Sequence, residues 1–434
     1  MTPLRLRFSD DLRLGDHAPE ISDAYVAGVR PKWEVADVIR LYGNAFLSKH
    51  GGYLSATQKK TLCDLVQCRT SALGGHADEC LDCGHIRIAY NSCRNRHCPK
   101  CQALARARWL DQQAQHLLPV EYFHVVFTLP AEVGDLALAN PRLLYDLLFQ
   151  TASATLREIA ANPKHLGAQL GVLMVLHTWG QNLHHHPHLH AVITCGGLSC
   201  NEQGIVDQEP KWILCRKGFF LPVRVLSRLF RGKYLDGLRK LLEAGKLTLP
   251  QKLQGLAHRK GLARWLSRLY RKEWVIYSKR PFGGPGQVLK YLARYTHRVA
   301  ISNSRLIDVS NGRVTFRYKD YADGNKQKVT TLSADEFLRR FTQHVLPKKF
   351  VKIRHYGLLA NKQREDRLEL SRLLLNAEEA PQESDERTPP EAIIKEAEPV
   401  RCENCGSTRI VTLQLQRIRP RSVAIASLGR SDSG

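Results

Sequence analysis

The chain has 434 residues, with 65 Lys and Arg against 41 Asp and Glu, a formal charge of +24. A field of that sign favours a polyanionic partner, because phosphates neutralised by Lys and Arg release counterions. The length suits two or three domains, no apolar run approaches the ~18 residues of a membrane span, and Met1 to Arg30 lack a signal-peptide core, so the expected location is the cytosol or nucleoid.

In chain order, residues 1–30 are polar and irregular and are expected to form a flexible arm. Val35 to Lys49 has helical periodicity, and Ser55 is placed to cap a second helix running through Cys68. Seven of the twelve cysteines then fall between Cys63 and Cys101. In a reducing compartment such clustering points to metal rather than disulfides. Cys80-x-x-Cys83 and Cys98-x-x-Cys101 together are predicted to make one tetrahedral zinc site. Cys68, His76, Cys93 and His97 form the set for a second zinc, or are simply buried thiols and surface imidazoles. Cys195, Cys200 and Cys215 read as core or strand-end residues.

After a helix around Ala103 to Trp109, whose arginines suit a phosphate backbone, Phe123 to Leu129 reads as a buried strand closed by Pro130. Helices are expected from Leu136 to Ile159, and an apolar strand from Gly171 to Thr178. The chain then turns through Gln181 and Asn182 into the run His184-His185-His186-Pro187-His188-Leu189-His190. Side chains alternate along a strand, so His188 and His190 share a face while Leu189 points into the core. Two neighbouring neutral imidazoles are half of a divalent-metal site. Leu226 to Trp274 reads as helical and basic, with Arg264, Arg268, Arg271 and Lys272 on a solvated or DNA-contacting face.

Gln287 to Arg298 reads as a helix that puts Tyr291 and Tyr295 on one side, with Lys290, Arg294 and Arg298 close by to contact DNA. A phenolate can attack a phosphodiester and store the bond as a phosphotyrosine, without a nucleotide cofactor. A hairpin around Asp323-Gly324 and a helix from Ala334 to His344 follow. Asn376 to Pro399 turns acidic and proline-bearing, as a disordered linker does. Beyond it stands one further knuckle, Cys402-x-x-Cys405, either completed elsewhere or a remnant.

Taken in order, these segments resemble the rolling-circle insertion-sequence transposases of the two-tyrosine HUH class (histidine, hydrophobic, histidine). The likeness runs from about Arg30 to Arg364 and rests on the cysteine knuckles, Phe123 to Pro130, His177 to Asn182, His186 to His190, Tyr291 to Arg298, His344 to Pro347 and Arg354 to Asn361. It implies an α+β fold: a helical, zinc-binding module at 31–117, then an HUH nuclease domain at 118–365. The latter has a central antiparallel sheet flanked by helices and a mostly helical insertion at 201–280, and 366–434 forms an acidic linker and tail. The implied activity is nicking and joining of single-stranded DNA at transposon ends and target. A tyrosine, Tyr291 or Tyr295, attacks with Mg²⁺ or Mn²⁺ held by His188 and His190. HUH enzymes usually have a third metal ligand, for which His124 and Gln181 are the candidates. Zn²⁺ is implied as structural, and host replication proteins as partners, since no nucleotide-binding loop is present.

Two other classes share parts of this signature. An HUH replication initiator or relaxase would use the same site. A non-catalytic zinc-dependent DNA-binding protein, or a defective transposase, would form no covalent adduct.

Overall fold

A computed structural model describes residues 31–216, 220–282, 287, 288, 291, 299–320, 323–378 and 401–417. The expected arm at 1–30, nearly all of the expected linker, and Lys290, Arg294, Tyr295 and Arg298 lie outside the described residues. The strands are β1 (Gly75–Cys80), β2 (Ile86–Tyr90), β3 (Tyr122–Thr128), β4 (Ala168–Trp179), β5 (His185–Ser199), β6 (Trp212–Leu214) and β7 (Ile276–Phe282). They continue as β8 (Leu306–Ser310), β9 (Arg313–Asp320), β10 (Lys326–Ser333), β11 (Ile353–Gly357) and β12 (Ile410–Leu415). The main helices are α1 (Val35–His50), α2 (Ala56–Gln67), α3 (Gln102–Ala114), α4 (Gly134–Ala139) and α5 (Pro141–Ala161). After these come α6 (Val223–Glu243), α7 (Arg259–Arg271), α8 (Ala334–Gln343) and α9 (Arg364–Glu378). The fold is α+β with antiparallel sheets, as expected, and divides into two compact units.

The first unit combines Met1–Ala105, Ile301–Val345 and Glu383–Gly434. Its helices begin where the sequence supplies caps. The Glu34 N–H donates to Asp37 Oδ2 at 2.9 Å, and Ser55 Oγ accepts from the Gln58 N–H at 3.3 Å, satisfying end groups that a helix cannot pair itself. The sequence reading placed 301–345 with the histidine strand, and here the structure differs. Strands β10-β9-β8 form a sheet whose buried Val309, Val314 and Phe316 face Phe337, Leu338 and Phe341 of α8. Asp335 of that helix is held by Lys49 and His50 of α1 at 3.2 and 2.9 Å. A second sheet runs β12-β1-β2, so the tail beyond the linker belongs to this unit too.

The second unit combines Arg106–Ala300 and Leu346–Gln382, and its sheet runs β11-β4-β5-β3-β7, with β6 on β5. Alternation along the strands gives this sheet two different faces. One face presents Phe123, Val125, Phe127, Val172, Met174, Leu176, Leu189, Ala191 and Ile193 to α5, α6 and α7. Residues 201–280, expected as an insertion, share this core through Leu226, Phe230, Trp265 and Leu269. The opposite face carries Tyr122, Leu173, Val175 and Val192, packed with Val288, Leu368 and Leu375. The helix α9 continues to Glu378, past the point where the linker was expected to begin.

Candidate active site and metal centres

The histidine run closes the turn of a long hairpin and begins its second strand. Strand β4 ends at Trp179, residues 180–184 turn, and β5 starts at His185. Leu189 is fully buried in the α5 and α6 core, so His188 and His190 project from the other face. Antiparallel register then sets their neighbours: His177 of β4 pairs directly with His188, and Val175 with His190. Directly opposed residues share a face and diagonal ones remain within reach. His177, His188 and His190 accordingly bring one ring nitrogen each to within 4.8 Å of one another. The Nε2 atoms of His188 and His190 stand 3.1 Å apart.

The tautomer of His188 follows from its partner. Its Nδ1 lies 2.7 Å from the backbone carbonyl oxygen of His186, which can only accept, so Nδ1 carries the hydrogen and Nε2 is left as a bare donor. The set offers only imidazole nitrogens and is largely buried, with His177 2% exposed and His190 8% exposed. Imidazole donors of that kind suit a divalent transition ion whose remaining positions oxygen ligands would fill.

Of the two positions named for a third ligand, one falls outside this cluster and the other lies in the turn before β5. His124 of β3 lies on the far side of His190, its Nε2 3.0 Å from His190 Nδ1, outside the three-nitrogen cluster. Gln181 sits in the turn between the two strands. His177 takes the place beside the pair, although in the sequence it stands within an apolar strand. Counting back from the turn would have found it, since it is the cross-strand partner of His188.

Residues 287, 288 and 291 are helical, and Val288 is buried against the face that carries the histidines. Tyr291 lies within hydrogen-bond reach of two of them. Its hydroxyl contacts His124 Nε2 and stands 3.3 Å from His190 Nδ1. One phenol therefore shares His190 with the three-histidine cluster.

The cysteines group differently from the expected Cys80, Cys83, Cys98, Cys101 set. One cluster is Cys68, Cys93, Cys98 and Cys101; the other is Cys80, Cys83, Cys402 and Cys405. The length of the β1–β2 hairpin is the reason. Cys80 and Cys83 sit at its turn, whereas Cys68, Cys93 and the second knuckle gather at its base. Five rises of ~3.4 Å separate those ends by roughly 17 Å, too far for one ion. His76 and His97 belong to neither cluster. In the first, Cys68 Sγ is 3.3 Å from Cys101 and 3.5 Å from Cys98, and Cys93 is 3.6 Å from Cys101. A tetrahedral ion with Zn–S of ~2.3 Å needs sulfur–sulfur edges of roughly 3.8 Å, while a disulfide needs ~2.05 Å. All twelve cysteines are free thiols, and Cys195, Cys200 and Cys215 are buried. Contacts to Cys68, Cys93 and Cys98 drive the Cys101 thiol far below its ordinary range, and contacts to the same cluster drive Cys98 far above it. This is a donor set that a cation would complete.

Basic residues of α7 lie as the periodicity suggested. Leu262, Trp265, Leu266 and Leu269 face inward, while Arg264, Arg268, Arg271 and the adjacent Lys272 are exposed, the last paired with Glu132. Among the described residues no helix is long and apolar enough to cross a membrane.

Comparison with known proteins agrees with this arrangement. Residues 171–367 match the family described as "Putative transposase", and residues 38–129 match the transposase zinc-binding domain. The "Putative transposase y4qJ" of Sinorhizobium fredii (strain NBRC 101917 / NGR234) is 49% identical over 387 residues, 88% of this chain and 95% of that protein. The transposase for insertion sequence element IS801 of Pseudomonas savastanoi pv. phaseolicola is 30% identical over 393 residues, 88% of this chain and 91% of that one. No solved structure matches the chain. With a zinc-binding module ahead of the histidine sheet and relatives aligned over almost their whole length, the chain belongs to the insertion-sequence transposases of the IS801 kind.

Proposed function

We propose that this transposase nicks and rejoins single-stranded DNA at insertion-sequence ends through a 5′-phosphotyrosine intermediate, driving rolling-circle transposition. The observation that carries the reading is the Tyr291 hydroxyl set against His124 and His190, on the sheet face that gathers His177, His188 and His190. Those three histidines would hold a Mg²⁺ or Mn²⁺ ion, which when bound supplies Lewis-acid polarisation of the scissile phosphate.

The chain's own groups account for the proton and the nucleophile. With an ion on Nε2 of His190 as on Nε2 of His188, the His190 Nδ1 would carry the hydrogen, 3.3 Å from the Tyr291 oxygen. His124 Nε2 is then the acceptor for the phenol proton. Attack forms the tyrosine O–P bond and breaks the bond from phosphorus to the 3′-oxygen, which takes up a proton and leaves as a 3′-hydroxyl. Rejoining runs the same steps backward with another 3′-hydroxyl. Tyr295, four residues on in the sequence, gives a second nucleophile so that two strands are held at once. Lys290, Arg294 and Arg298 serve as phosphate contacts on the same segment. A structural Zn²⁺ at Cys68, Cys93, Cys98 and Cys101 rigidifies the module ahead of it. The protein works in the bacterial cytosol or nucleoid, and host replication proteins supply strand separation.

The test uses purified protein, Mn²⁺ and 5′- or 3′-labelled single-stranded oligonucleotides covering the element's ends. A denaturation-resistant adduct on the 5′-phosphate is expected. It should disappear in Tyr291→Phe/Tyr295→Phe and in His188→Ala, and the single tyrosine variants assign the order of attack. Intact DNA binding with no adduct on any end sequence would instead indicate a zinc-dependent binding protein.

A further inference from the structure

The second cysteine cluster draws its ligands from two segments more than three hundred residues apart, and only one of them lies within the matched zinc-binding domain. Cys80-Leu81-Asp82-Cys83-Gly84 and Cys402-Glu403-Asn404-Cys405-Gly406 have the same local build. Each glycine takes a positive φ, 68° and 78°, as a tight turn requires. Its N–H donates to the carbonyl of the first cysteine, at 2.8 Å in one knuckle and 2.9 Å in the other. The first cysteine's N–H in turn donates to the residue after the glycine, His85 or Ser407, at 3.0 and 2.7 Å. The returning N–H groups of His85 and Ser407 reach the second thiol of their own knuckle. N–H groups aimed at sulfur stabilise a thiolate, the form that binds metal.

The two knuckles face each other with matched edges, Cys80 to Cys405 at 3.5 Å and Cys83 to Cys402 at 3.6 Å. These approach the roughly 3.8 Å edge of a ZnS₄ tetrahedron. The rest of the tail is seated to bring them there. β12 pairs with β1 from Gly75↔Leu415 to Cys80↔Ile410, and Arg409 and Ser407 both bind Asp82.

We propose that Cys80, Cys83, Cys402 and Cys405 bind a second structural Zn²⁺, which fastens the segment 401–417 to the hairpin of the zinc-binding domain. The chain then carries two zinc ions, and the knuckle after the acidic segment is half of a site rather than a remnant. The inference does not depend on the nicking chemistry.

Metal analysis of the full-length protein after gel filtration tests it. Two zinc ions per chain are expected, falling by one in Cys402→Ser/Cys405→Ser. In the cobalt-substituted protein, thiolate-to-cobalt absorbance should fall by half in the same variant. The wild-type protein gives an independent reading should that variant fold poorly. Cys83 and Cys405 are exposed, so without a bound metal they would react with iodoacetamide at once. Protection of both, lost together with that of Cys80 and Cys402 on chelation, supports the site. Rapid alkylation of Cys83 and Cys405 in the zinc-loaded protein, or an unchanged zinc content in the double variant, overturns it.

Discussion

Replacing His177 with phenylalanine separates a metal ligand from a packing residue. The ring is 2% exposed, stacked on Trp179 at 4.7 Å and edge-on to His190 at 4.6 Å. Truncation to alanine would open a void costing about 2–4 kcal/mol and would confuse the outcome. Phenylalanine keeps the ring and removes both nitrogens. Loss of a hydrogen-bond partner behind a ligand typically costs 10–100-fold in metal affinity, so loss of a ligand is expected to cost at least about 100-fold, roughly 2.7 kcal/mol. The assay is Mn²⁺ titration followed by the free-ion electron paramagnetic resonance signal, on DNA-free protein with an unchanged circular dichroism spectrum. His124→Phe, which removes only a neighbour of His190 Nδ1, should weaken binding about tenfold, and Gln181→Ala less than threefold. If His177→Phe binds Mn²⁺ within threefold of wild type, the three-histidine cluster is not the metal site.

Two further outcomes follow from burial. Leu189→Ala leaves both flanking histidines in place but empties a fully buried position, so urea unfolding should show a loss of about 2–5 kcal/mol; an unchanged midpoint would contradict the orientation of β5. Burial, reinforced by Arg364 and His116, pushes the His355 imidazole down to about 4, and its ring bonds Gln113 at 3.0 Å. The unfolded chain binds the proton near pH 6.5, so this stabilisation is complete above that pH and drains away as pH falls toward 4. Between pH 7.5 and 5 that amounts to about 2 kcal/mol, which His355→Gln should not show. Equal pH sensitivity of the two proteins in urea titrations would sink the assignment.

What could be read from the sequence divides by range. Strands β3, β4 and β5, the caps of α2 and the inward stripe of α7 follow from alternation, side-chain oxygens and 3.6-residue spacing, all local properties. So does the pointing of His188 and His190 away from the core. What is not local is the choice of partners, which tertiary placement sets. Pairing Cys80 and Cys83 with Cys98 and Cys101 assumed that sequence neighbours are spatial neighbours, while a six-residue strand carried the first knuckle away from the second. Residues 301–345 looked continuous with the tyrosine segment, yet their apolar sheet face is covered by α8, itself tied to α1. His177 lay hidden in an apolar run because only the register of the β4–β5 hairpin gives it a partner.

The β12-β1-β2 sheet also sets an order of assembly. β2 emerges from the ribosome just after β1, but the other neighbour of β1 arrives much later: Asp78 and its partner Thr412 are 334 residues apart. At roughly 5–20 residues per second, translation leaves that edge of β1 open for about 15–70 s. An open edge invites pairing with another nascent chain unless charge discourages it. The strand reads Gly75, His76, Ala77, Asp78, Glu79, Cys80, polar for a central strand and acidic in its second half. Its composition suits the long interval during which it is an edge as well as the finished sheet in which it is not.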